Sequence, residues 1–163
     1  MLTGILIFLS QERMRREDAI SIFQAAVAAV QPAHLMHQHV QYSDGVLSVC
    51  EQSFTLTPGS TVWVFGAGKA AASMALALEQ VLGGVQIKGL VITKYAHALP
   101  LTHITLREAA HPVPDENGVN ATAEMASLLR STGPDDIVLF LLSGGASALL
   151  ADYPAGADLT QVQ

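Results

Sequence analysis

Apolar residues along this 163-residue chain change their spacing from segment to segment, and each change marks an element. Over residues 17–30, Ile20, Phe23, Val27 and Val30 recur at three- and four-residue intervals with alanines between them. That period predicts an amphipathic helix, stopped by Pro32. Residues 33–42 read as a second short helix. Asp44-Gly45 is a turn, and the apolar pieces 46–49 and 53–56 read as an edge hairpin. After Pro58-Gly59, the run Val62-Trp63-Val64-Phe65 predicts a core strand over 61–65, and a helix over 69–82 follows, ended by Gly83-Gly84. A strand over 86–92, a loop over 93–102 and an alternating strand over 103–108 come next. His111-Pro112-Val113-Pro114-Asp115 is a rigid turn, because each proline fixes its own φ and biases the residue before it to extended backbone. A helix over 118–131 ends at Gly133-Pro134. The continuous apolar run 136–142 predicts the most strongly marked strand, buried in the sheet.

Strands alternating with helices at this spacing define βαβ units, hence an α/β fold with a mostly parallel, Rossmann-like sheet in a three-layer α/β/α sandwich. Half of the residues are hydrophobic and only 13% are charged, which suits a sheet covered on both faces and leaves room for self-association into a homo-oligomer. The net charge of −6, with no basic cluster, argues against nucleic acid and anionic membranes as partners. A single cysteine, Cys50, excludes an internal disulfide and fits a reducing cytoplasmic setting. The first ten residues, M-L-T-G-I-L-I-F-L-S, have no basic n-region and no small-residue cleavage site, and their apolar run is too short to span a bilayer. Residues 1–13 are therefore expected to be an extension outside the fold, with the domain over 14–163. Leu159 to Gln163 reads as the start of another helix, so the chain is expected to be truncated before a second domain.

Two strand-to-glycine junctions carry the chemistry. The first is Gly66-Ala67-Gly68-Lys69, which opens the helix over 69–82. Glycine turns of this kind are expected to leave amide N–H groups uncovered at a helix N-terminus, where an anion is favoured, and Lys69 adds a full positive charge. The second is Ser143-Gly144-Gly145-Ala146-Ser147, directly after the run 136–142. Two such mouths on one sheet edge describe a phosphate or carboxylate site. Gly66 to Ala71 also meets the loose dinucleotide pattern, but the next strand ends in Thr93-Lys94 and offers no carboxylate to a ribose. The phosphate-binding pattern of nucleotide hydrolases fails at Trp63 and Ala70, and a nucleophile elbow around Ser147 fails at Leu149. A tight turn with Lys69 merely solvated is the structural alternative. His111 is either a substrate contact or a cap on a carbonyl, and Lys94 and His97 sit beside a strand end. His34, His37 and His39 do not have the spacing of a standard ligand set and read as a solvated helix face.

Taken together these residues resemble the glycerate 2-kinase family, whose members also carry the label hydroxypyruvate reductase. The family's markers are a G-A-G-K-A-A turn, a T-K-Y-G-H-like loop, an E-A-x-H-P-x-P-D segment and an S-G-G-G-S-A-L loop. They stand here as Gly66 to Ala71, Thr93 to His97, Glu108 to Asp115 and Ser143 to Leu149, with Ala96 and Ala146 replacing two of the family's glycines. The resemblance implies ATP-dependent phosphorylation of D-glycerate, with Lys69 catalytic and Gly66, Gly68, His111, Ser143, Gly144, Gly145 and Ser147 binding substrate or phosphate. It also implies Mg²⁺, with Asp115 as the one carboxylate near the site and the other metal ligands in the absent domain. An NAD(P)H-dependent hydroxypyruvate reductase, a sugar-phosphate-binding module and an inactive fragment stay open as alternatives.

Overall fold

The computed structural model describes residues 2–161, and the side chains of residues 13–161. Four parallel strands form its centre: β4 (Val62–Ala67), β5 (Ile87–Lys94), β6 (Thr105–Ala109) and β7 (Ile137–Leu142), in the spatial order β6-β5-β4-β7. β4 is buried at every position, because its alternate residues feed two separate cores. Val62 and Val64 join α3 (Ala71–Val81), through Ala71, Ala75 and Leu78, together with Met36, Leu47 and Val91. Trp63, Phe65 and Ala67 face the opposite way, against α4 (Glu116–Leu129), through Ala121 and Met125, and against Leu149 of the short α5 (Ala146–Leu149). The expected α/β class with a parallel sheet and helices on both faces is what the chain adopts.

The predicted hairpin forms, but within a separate three-stranded antiparallel sheet: β1 (Val40–Ser43), β2 (Val46–Val49) and β3 (Gln52–Thr55). The second helix is shorter than expected for that reason. α2 (Pro32–His39) stops before Val40, and residues 40–42, expected to be helical, join Ser43 in pairing with β2, where Val40 and Tyr42 suit a pleated surface.

Two other expectations are corrected. β7 is not a buried central strand but an edge strand. Its odd-numbered residues pack on the first core, while Val138, Phe140 and Leu142 are exposed on the other face. A continuous apolar run looks the same in either position, since period alone cannot say how many neighbours a strand has. The first helix, α1 (Leu2–Ala29), begins before the helix start expected just after Met14. It meets α2, yet Ile20, Phe23, Val27 and Val30 are exposed, so its apolar stripe is not covered by the described residues. Among the described residues no single helix is long and apolar enough to cross a membrane, and the segment Arg13–Ala29 is bent from Pro32–His39 by 51°.

Candidate functional site

The sheet order brings the two glycine turns together. β4 lies between β5 and β7, and the elements after β4 and β7 pack on opposite faces, so the crevice at their carboxyl ends sits where the strand order reverses. Three hydrogen bonds join the turns edge to edge. Ser143 N–H donates to Ala67 O (3.1 Å), Lys69 N–H to Gly144 O (3.0 Å) and Ala70 N–H to Ser143 Oγ (3.0 Å). This approach explains the glycine at 68. Its φ is 134°, and a methyl group there would overlap Ser143 Oγ and stand 2.6 Å from Ser143 O. Gly66 lies inside β4, paired with Val91 and Leu141.

This stitching occupies the amides of the turn that leads into α3. Gly68 N–H donates to Ile92 O, Lys69 N–H to Gly144 O, Ala70 N–H to Ser143 Oγ and Ala71 N–H to Gly68 O. Gly66 and Gly68 shape the turn, and Ser143 caps the helix. The Ser143 hydroxyl accepts from Ala70 N–H and keeps its own O–H to donate.

What remains at the mouth is a cluster around Lys69. Gly145 has φ 93°, and a methyl group on it would stand 2.8 Å from both Cδ2 and Nε2 of His111 and 3.4 Å from Lys69 Cγ. A methyl group on Gly144 would lie 3.9 Å from Lys69 Cε. His111, half-buried, and Lys69, exposed, are thus brought to one place by chain segments far apart in sequence. Among the described residues Lys69 has no ion pair. The N–H groups of Gly144, Gly145, Ala146 and Ser147 open α5, where first-turn amides lack intrahelical partners, and they donate none of the loop and cap hydrogen bonds of the described residues. Ser147 is exposed on that turn.

Lys69 and Ser73 also line a cleft of about 270 Å³ together with Ala96, His97, Ala98 and Leu99. Ala96 has φ 62°, so the left-handed conformation that its glycine counterpart would adopt freely is present here in an alanine. Ala146 is different: it lies inside α5, and the positive φ falls on Gly145 before it. Of the two replacements, only the alanine at 96 takes on a left-handed backbone.

Asp115 holds this wall in place. Its Oδ1 caps α4 by accepting from Gly118 N–H (3.0 Å) and also accepts from Ala110 N–H (3.2 Å), while Oδ2 accepts from the Tyr95 hydroxyl. Asn117 Nδ2 donates to Tyr95 Oη (2.7 Å), and His97 N–H donates to Glu108 Oε1 (3.2 Å). Partial burial works against charge on Asp115, but the Tyr95 hydroxyl and the two amides outweigh it and hold the carboxyl below its ordinary value. The same bond to Asp115 raises the Tyr95 phenol. Three donors thus fix Asp115 as a structural acceptor at the start of α4. Among the described residues no group of three or more His, Cys, Asp or Glu could hold a metal ion, His34, His37 and His39 included. The described residues do not fit a protein-built Mg²⁺ site.

Two residues that sequence reasoning passed over organise the surroundings. Asp136 accepts from Thr61 N–H, the Trp63 indole N–H and Gly133 N–H, each at 2.8 Å, and so ties the start of β4 to β7. Glu79 on α3 accepts from the N–H groups of Thr102, His103 and Ile104, pinning the segment between the cleft loop and β6. Neither carries a local sequence signal, since their partners lie from 23 to 75 residues away except for Gly133.

A parallel sheet with an opened switch point and a lysine-bearing glycine turn defines the class, and residues 18–163 match the family described as "Domain of unknown function (DUF4147)". The chain belongs to that family. It is 35% identical over 148 residues to glycerate 2-kinase of Pyrococcus horikoshii, covering 91% of this chain and 33% of that protein. A protein of Agrobacterium vitis with a provisional hydroxypyruvate reductase name is 48% identical over 96 residues, 59% of this chain and 25% of its own. Among solved structures, a protein from Pyrococcus horikoshii OT3 superposes with a TM-score of 0.80 at 34% identity, over 90% of this chain and 33% of that one. Glycerate kinase from Thermotoga maritima superposes at 0.72 and 32%, over 92% and 33%. The chain spans about a third or less of the length of these relatives.

Proposed function

We infer that this chain supplies the Rossmann-like wall of a glycerate kinase active site, where the γ-phosphoryl group of ATP passes to a hydroxyl of D-glycerate. The 2-hydroxyl is the acceptor suggested by the name of the Pyrococcus horikoshii relative. The observation that carries the reading is the convergence of Lys69, His111 and the Gly144–Gly145 turn at the switch point of the sheet. Phosphoryl transfer asks a protein mainly for positioning and for neutralisation of charge on the moving group. The Lys69 ammonium, unpaired among the described residues, meets the second need. Amides of Gly144 to Ser147 offer hydrogen bonds to phosphate oxygens, and His111 offers at least one ring N–H. ATP supplies the phosphoryl group, and no step is assigned to Mg²⁺. A cytoplasmic setting agrees with use of ATP and with the lone Cys50.

The hydroxypyruvate reductase name of the Agrobacterium vitis relative favours a second reading. It would need a nicotinamide nucleotide, and β5 ends in buried Thr93 and in Lys94, with no acid for the ribose. A chimera separates the two: this chain replaces the matching third of the Pyrococcus horikoshii kinase. The kinase reading expects ATP-dependent conversion of D-glycerate to phosphoglycerate and no oxidation of NADH with hydroxypyruvate. NADH oxidation without phosphorylation would reverse the choice.

A further inference from the structure

The cleft that Lys69 shares with residues 96–99 has a composition of its own. Its lining holds one permanent cation, Lys69, one imidazole, His97, and no carboxylate, although the chain as a whole carries a net charge of −6. Glu108 is bonded to the His97 N–H and does not line the cleft. The remaining wall is Ser73, whose hydroxyl donates to Ala70 O, with Ala96, Ala98 and Leu99, which add no further charge. At about 270 Å³ the cleft has room for a three-carbon acid. The His97 side chain is exposed and makes no hydrogen bond among the described residues, which leaves its ring free to donate. The loop bearing it is held from three points: the left-handed turn at Ala96, the Glu108 carboxylate, and Tyr95 clasped by Asp115 and Asn117.

We propose that this cleft takes the carboxylate end of the acceptor acid, between Lys69 and His97, and that His97 is the residue that selects an acid over a neutral polyol. The inference rests on the kinase reading and adds to it a division of labour. Lys69 stands at the boundary, with the acid on the side of the 96–99 loop and the transferred group toward Gly144, Gly145 and His111. A hydrogen bond to a charged group in a site of this exposure changes affinity by about tenfold when it is lost.

The test is a titration of the 163-residue chain, followed by NMR, with D-glycerate and with glycerol, which has the same carbon skeleton without the carboxylate. D-glycerate should move the ring signals of His97, glycerol should not, and His97→Ala should weaken glycerate binding about tenfold or more. His97→Gln, whose side-chain amide still donates, should recover part of that loss. The ring is exposed and unbonded, so neither substitution should disturb the fold. Glycerate shifts confined to His111 and Gly144–Ser147, equal responses to glycerol, or an unchanged affinity in His97→Ala would each overturn the subsite and leave the kinase reading standing. The absence of any response to D-glycerate across the site would overturn the subsite and count against that reading as well.

Discussion

Replacing Gly68 by alanine tests the way the two turns are stitched. Two costs add at this residue. A side chain at φ 134° sits in a region that residues other than glycine rarely occupy, worth about 1–3 kcal/mol. The new methyl group would also overlap Ser143 Oγ and press within 2.8 Å of Ser143 C, displacing the hydroxyl that caps α3 through Ala70 N–H, a further ~1–2 kcal/mol. The sum is about 2–5 kcal/mol, or roughly 5–20 °C in melting temperature for a domain of this size. Gly59 provides the control, since its φ is 96° and a methyl group there meets nothing within 4 Å. Gly59→Ala should show the conformational cost alone. Thermal and urea unfolding of both variants, with Ser143→Ala alone and combined with Gly68→Ala, measure the difference. Because Ser143→Ala removes the overlapping atom, the double variant should lose less than the sum of the singles. Equal losses for Gly68→Ala and Gly59→Ala, with strict additivity against Ser143→Ala, would show that the turns are not packed as described.

Glu79→Ala leaves three backbone donors without their carboxylate, of which Ile104 N–H belongs to a buried residue and the other two regain water. A loss of about 2 kcal/mol is expected in urea unfolding, and Glu79→Gln should recover part of it. Asp136 accepts from Gly133, Thr61 and Trp63, which hold its carboxyl below the ordinary value. A carboxyl depressed in the folded state contributes stability that is fully present above its unfolded pKa and is lost as pH falls through its folded pKa. Wild-type stability should therefore decline below about pH 4, and Asp136→Asn, less stable at neutral pH, should show a flatter acid limb in pH-dependent unfolding. An acid limb of unchanged slope would remove Asp136 from the account.

The parallel α/β class was legible because βαβ order and strand period are local properties, and Val62 to Phe65 followed by Gly66 to Lys69 announces both a strand and its exit. Lys69, His111, Gly144 and Gly145 were legible as candidates for the same reason, each flanking a strand end. The sequence placed both turns on one sheet edge; that they abut depends on β7 lying beside β4 rather than beside β6, a choice made by tertiary pairing. The same fact makes Gly68 and Ser143 parts of the joint. It also left Val138, Phe140 and Leu142 exposed on the strand that looked most buried. Asp115 shows the reverse case. Its position three residues before Gly118 is a helix-capping signal, and reading it as such would have removed it from the metal candidates at once.

The central claim is that the Lys69 ammonium neutralises charge on the transferring phosphoryl group. Turnover of D-glycerate with ATP by the Pyrococcus horikoshii chimera, with Lys69 intact and with Lys69→Ala, measures it most directly. Loss of a group that acts on developing charge costs on the order of 10²–10³ in rate, and circular dichroism should show the fold of the variant unchanged, since Lys69 is exposed and its backbone bond to Gly144 does not need the side chain. A folded Lys69→Ala chimera that phosphorylates D-glycerate at the unsubstituted rate would contradict the claim.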